Sequence, residues 1–341
     1  MNLKPMFYRK TLLVSIVTIL FLTSCAQIQK VLPDTKPTKV VSYNSLSGRI
    51  GEDGPVLVVK IDDTRSARPQ IGIEYADVVY IEQVEGGLTR LAAVFSSRIP
   101  QRIGPVRSAR ISDIEIMSQY GKVAFAYSGA QRNMFPVIAA ANLQDVGANK
   151  LGPIIYPTDP NRIRPYAMVL RADLLLERIL EKGYAIDKAK NVGFIFGVAP
   201  VGGVATEKVE ISWPGAIYSA AWSQLERRWL LTHNRVINTA ESGVILGATT
   251  LVVQIVAITD SGYGDKFGGV TPLSQTIGSG KAYVLRDGKR FLTTWSRPFA
   301  DSGTTFTLSD GTQMKFAPGQ VWVALTDREP VFTSPPVVET K

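Results

Sequence analysis

The 341-residue chain has one cysteine, Cys25, and one histidine, His233. A single cysteine excludes an intrachain disulfide, and together the two residues are too few to build a zinc or copper centre. A Ser–His–Asp apparatus would have to use His233, yet no G-x-S-x-G elbow occurs. Ser128, in Tyr127-Ser128-Gly129, is the best nucleophile on offer, and the simpler reading of His233 is a surface or turn residue. Gly202-Gly203 and Gly278-Ser279-Gly280 lack a strand–loop–helix setting, so no nucleotide fingerprint is present and no cofactor is expected. The string Asp260-Ser261-Gly262-Tyr263-Gly264-Asp265 lacks the ligand count of a calcium loop and reads as a turn, so no metal is expected. Carboxylates are missing from Gly86 to Ser112, a stretch that carries Arg90, Arg98, Arg102, Arg107 and Arg110.

The first 25 residues carry the pattern of an export signal. Lys4 to Lys10 is basic, and Thr11 to Leu22 is apolar but too short for a comfortable bilayer span. The run ends in Leu22-Thr23-Ser24-Cys25, which resembles a lipobox. Residues 1–25 are therefore expected to be a lipoprotein signal peptide, with Cys25 carrying the acyl chains (palmitate among them). Each buried methylene of such a chain adds about 0.8 kcal/mol of membrane affinity. Residues 26–48, polar and interrupted by Pro33 and Pro37, read as a flexible tether. The expected location is the extracytoplasmic face of a bacterial membrane. Removing Lys4, Arg9 and Lys10 takes the formal charge from +9 to +6. That balance favours anionic partners in the envelope, such as a wall polymer, lipid head groups or acidic proteins; nucleic acid is not expected.

Two patterns divide the rest. In residues 49–190, β-branched runs at Val56–Ile61, Val78–Ile81 and Leu91–Phe95 suit strands buried on both faces. They alternate with helical patterns at Ser108–Tyr120, Phe135–Asn142 and Ala172–Lys182, which predicts an α/β domain. Gly147 to Pro165 reads as loop. Residues 191–335 hold nine strand-like runs and no long helix, predicting a mainly β domain. Asp287-Gly288 and Asp310-Gly311 mark hairpins. The Gly- and Pro-containing stretch near 193–203 is the expected boundary. Trp213, Tyr218, Trp222, Trp229, Trp295 and Trp322 fit core or cross-strand pairs better than a sugar-stacking face.

Chemistry concentrates around Asp62, Arg68, Glu82, Glu85, Arg90, Arg107 and Arg110. If the three early strands lie side by side, Asp62 and Glu82 converge at one edge, and two carboxylates there suit acid–base work. Arginine forks suit carboxylate or phosphate, and Glu85-Gly86-Gly87 suits a tight turn with exposed N–H groups. Three readings stay open: an internal salt-bridge network, anion or polymer binding, and catalysis.

The strings IDD…ARPQIGI, ADVVYIEQVEGGLTR and IGPVRSAR, with the tail WSRPFADSGTTFTLSDGTQMKFAPGQVWVAL, resemble the DUF3048, or YerB-like, family of bacterial envelope lipoproteins of unknown function. Asp63 departs from the family pattern, which implies asparagine there. The resemblance implies an architecture and an envelope address but no reaction. The expected function is a binding or scaffolding module for a wall polymer or wall-synthesis proteins. The alternative is an envelope hydrolase of glycoside type using Asp62, Glu82 and Glu85.

Overall fold

The computed structural model describes residues 41–264 and 268–336. The expected signal peptide, with Cys25, and residues 26–40 of the expected tether lie outside the described residues.

Ten strands form the path of an eleven-stranded sheet. They are β1 (Leu57–Asp62), β2 (Val78–Gln83), β3 (Thr89–Phe95), β4 (Val123–Ala126) and β5 (Leu143–Asp145) from the first half. The second half supplies β6 (Thr250–Ile255), β7 (Gly278–Arg286), β8 (Lys289–Arg297), β9 (Thr305–Thr307) and β10 (Val321–Thr326). Their order is β9-β8-β7-β6-β10-β2-β3-β1-β4-β5, and Val204–Ala205 pairs with β8 as the eleventh.

The seam lies at β10, which runs parallel to β6 on one side and to β2 on the other. The α/β stretch, residues 49–190, and the mainly β stretch, 191–335, thus share one sheet. The two stretches differ in composition, but β10 of the second completes the sheet of the first. The reason is burial. VVYIEQ and VWVALT are buried along almost their whole length, and neither could remain at a sheet edge without exposing its backbone groups.

Side chains alternate across the sheet with period two. Val59, Ile61, Val79, Ile81 and Trp322 enter one core, closed by a second, six-stranded sheet that includes Lys208–Trp213, Ala216–Ser223 and Arg228–His233. Val58, Val78, Val94, Val252 and Val323 enter the other, closed by helix α1 (Ile111–Ser118) and by Phe194, Phe306 and Phe316. Asp287 and Gly288, with φ of 50° and 70°, make the tight turn that pairs Arg286 with Lys289, as their dipeptide predicts.

Three local expectations change. The end of the expected tether is folded. Leu46 and Ser47 are buried, and the Ser47 hydroxyl donates to Asp77 Oδ1 at 2.6 Å. The Gly147–Pro165 stretch holds a helical segment, Ala148–Ile155, broken at Gly152 by a φ of 71° ahead of Pro153. Ile258–Gly264 is a strand paired with Val270–Ser274 rather than a turn, with a register shift between Asp260 and Gly264 that takes up Gly262. Among the described residues no helix is long and apolar enough to cross a membrane.

Candidate functional site

The two flanks of β3 set the site. Register places Asp62 of β1 and Glu82 of β2 opposite the same residue, Arg90. All three therefore project from the α1 face of the sheet, together with Lys60 two residues earlier on β1. Asp62 and Glu82 do converge, as the side-by-side reading requires, but a cation separates them.

Past Val59, β1 no longer pairs with β4, and the 104–107 segment takes over that edge. The Asp62 N–H donates to Pro105 O at 2.9 Å, and the Arg107 N–H donates to Lys60 O at 2.8 Å. This brings the Arg107 guanidinium to Asp62, with Nε 2.7 Å from Oδ2. The other oxygen, Oδ1, accepts the Thr64 N–H and hydroxyl at 2.8 and 2.7 Å. Three residues beyond Arg107, Arg110 opens α1. Its Nε lies 2.6 and 2.9 Å from the two Glu85 oxygens and its Nη2 2.7 Å from Oε2.

Below them lies a charge cluster of which the sequence marked only Glu82. Lys60 is fully buried, pairs with Glu82 and lies 2.7 Å from Asp113 Oδ1. The other Asp113 oxygen accepts the Arg110 N–H at 2.6 Å and so caps α1. Burial pulls the Lys60 ammonium down to about 8, against the opposing pull of Asp113. A lysine inside VLVVKID, a run suited to burial on both faces, was the available signal.

Arg90 differs from its neighbours. Its guanidinium donates to Ser108 O at 3.3 Å and, among the described residues, forms no ion pair. Burial first, then the charges of Arg110 and Arg107, lower its pKa to about 10. The Glu85 pKa also falls, which for a carboxylate favours the charged form. Burial pushes its carboxyl up, but hydrogen bonds from Arg110 and Thr271 and the Arg110 charge outweigh this and hold it below 4.5.

Arg90, Arg107, Arg110, Asp62, Glu85 and Tyr166 line an open cleft of about 660 Å³. Glu82 is sealed beneath it. Arg68 points elsewhere: it donates to Asp63 O at 3.1 Å and to the carbonyl and Nδ1 of His233. His233 is buried, not on the surface. Its ring stacks on Tyr218 at 4.4 Å, and Nδ1 lies 3.3 Å from Asp63 Oδ1. Asp63 also accepts the Tyr218 hydroxyl at 2.7 Å, so this cluster ties the two halves of the chain together. Ser128 lines a neighbouring cleft whose lining does not include His233. The Glu85–Gly87 turn is closed from outside by the Gly215 N–H, which donates to Gly87 O at 2.8 Å. Among the described residues no group of three or more candidate ligands for a metal occurs.

Two family models match the chain, described as "Protein of unknown function (DUF3048) N-terminal domain" over residues 45–185 and "Protein of unknown function (DUF3048) C-terminal domain" over 209–323. A curated relative, "Putative lipoprotein YerB" of Bacillus subtilis (strain 168), is 27% identical over 178 residues. The alignment covers 51% of this chain and 52% of the relative, so it spans about half the relative's length. The crystal structure of the Bacillus subtilis YerB protein has the same fold, with a TM-score of 0.72 at 18% identity. That match covers 86% of this chain and 99% of the solved one.

Proposed function

Because the chain belongs to the DUF3048 family, whose models describe proteins of unknown function, we propose its role from its own geometry. It is an envelope lipoprotein, acylated at Cys25, that holds a folded body at the membrane surface and takes an anionic group of a wall polymer or envelope protein into the Arg90 cleft. The address rests on the lipobox-like Leu22-Thr23-Ser24-Cys25 and on the lipoprotein name of the relative.

Arg90 carries the binding reading. A guanidinium held largely out of water, with two like charges nearby and no carboxylate partner among the described residues, is an incomplete ion pair. A ligand carboxylate or phosphate completes it with forked hydrogen bonds. Glycoside hydrolysis is less well supported. It needs one carboxyl group kept protonated and another free to attack or to activate water. Here Asp62 and Glu85 are held by arginines, Glu82 is held by Lys60, and Glu85 shifts toward the ionised form.

The test is titration of inorganic phosphate into the wild-type protein, Arg90→Met and Arg90→Lys at low and high salt. Salt-sensitive binding in the wild type that disappears in Arg90→Met is expected. Equal binding by wild type and Arg90→Met would remove the basis for the site.

A further inference from the structure

A second cleft of about 500 Å³ adjoins the first and shares Arg107 and Pro165 with it. It is lined by Ser128, Asn149, Tyr156 and Arg164. Arg164 is exposed, reaches Thr158 Oγ1 at 3.4 Å and forms no ion pair among the described residues. Two guanidiniums without carboxylate partners, Arg90 and Arg164, thus stand in adjoining clefts. Arg107, already held by Asp62, lies where the clefts meet, and its guanidinium sits 5.6 Å from the centre of the Tyr166 ring. Pro165, shared by both clefts, and Tyr166, beside the Arg107 guanidinium, add apolar surface next to that charge.

We propose that the two clefts form one groove for a linear polymer with anionic groups at intervals, joined by short uncharged polyol or sugar units. One anion completes Arg90 and a second completes Arg164, while the neutral spacer passes Pro165 and Tyr166. A lone small anion would leave the second cleft empty. The inference rests on the single-anion reading of the Arg90 cleft and extends it to a ligand class. Phosphodiester and carboxylate polymers share this chemistry.

The test compares three probes by calorimetry on the wild-type protein, Arg90→Met and Arg164→Met: inorganic phosphate, a short oligo(glycerol phosphate) and a short oligogalacturonate. Melting curves accompany each variant, and Arg90→Lys replaces Arg90→Met if the latter does not fold. One oligomer is expected to bind at least about tenfold tighter than phosphate, and each substitution should weaken it about tenfold, a typical loss for one charge-assisted contact. The tighter oligomer identifies the anion. Phosphate binding should depend on Arg90 and be indifferent to Arg164. Oligomers that bind no tighter than phosphate, or that ignore Arg164→Met, overturn the continuous groove and leave the Arg90 site standing. Absence of binding by every probe overturns both.

Discussion

Arg110 holds Glu85 in a fork, with Nε and Nη2 both within 2.9 Å of the carboxylate. The pair is mostly buried and joins the turn after β2 to the start of α1. Lysine in place of Arg110 keeps the charge but loses the fork. Arg110→Lys is expected to cost about 1–3 kcal/mol in thermal or urea melts. Because the folded Glu85 pKa lies below its ordinary value, the pair stabilises the fold above that value and loses its effect as pH falls through the folded pKa. The deficit of Arg110→Lys should therefore shrink below about pH 4. A variant that melts with the wild type at pH 7 would show that the fork does not hold the turn.

Lys60 gives the same sign of pH dependence, in a higher window. Its folded pKa, about 8, lies below the ordinary 10.5, so between these values the unfolded chain binds more protons. Stability attributable to Lys60 should rise from about pH 8 to 10.5 and stay at its lower level below pH 8. The carbon-13 shift of Lys60 Cε is expected to titrate near pH 8 while surface lysines titrate near 10.5. A Lys60 signal that titrates with the surface set would contradict this. Lys60→Met leaves Glu82 and Asp113 without their buried cation and should cost about 3–5 kcal/mol at pH 7.

The strands of the central sheet were legible because burial on both faces writes continuous apolar runs, as at Val78–Ile81 and Val321–Leu325. Their neighbours were not. Nothing in VWVAL says that it inserts between β2 and β6, since parallel pairing is decided by two non-local edges. The same limit applied to the site. The sequence marked Asp62, Arg68, Glu82, Glu85, Arg90, Arg107 and Arg110 as one charged group; the fold brings five of them to one cleft, seals Glu82 beneath it and turns Arg68 away to His233. It could not assign partners, which depend on the 104–107 segment crossing β1. His233 read as a turn residue because its acceptor neighbourhood, Asp63 and Tyr218, is distant in sequence or on another strand.

Cys25 offers the most direct check of the envelope address. Cys25→Ala should abolish metabolic acyl labelling and leave a precursor or a released species in cell fractionation. Unchanged labelling in the variant would show that the lipid, if any, is attached elsewhere.

The seam at β10 predicts how the chain divides. A fragment of residues 42–190 lacks β10 and the second sheet, leaving β2 as an edge and the Val79–Ile81 side uncovered. It is expected to show no cooperative thermal transition and to aggregate, as exposed apolar edge strands do. Cooperative melting of this fragment would restore the picture of two self-sufficient domains.

Arg90 separates binding from stability. In the free protein it is a half-buried cation whose charge is disfavoured by lost hydration and by Arg110 and Arg107, and favoured by Glu85 and Asp62. Desolvation is the largest of these influences, so the residue is a net cost to the fold until a ligand anion arrives. Arg90→Met fills much the same volume without the charge. It should leave stability unchanged or raise it by about 1 kcal/mol, while removing phosphate binding. A purely structural arginine would behave oppositely, because its loss would orphan Ser108 O and loosen the helix start, lowering the melting temperature. Melting the wild type and Arg90→Met with and without phosphate decides between them. Added phosphate should raise the wild-type midpoint by mass action and leave the variant's unchanged. A variant that melts several degrees lower in buffer, beside a wild type indifferent to phosphate, would make Arg90 a structural strut and end the anion-site reading.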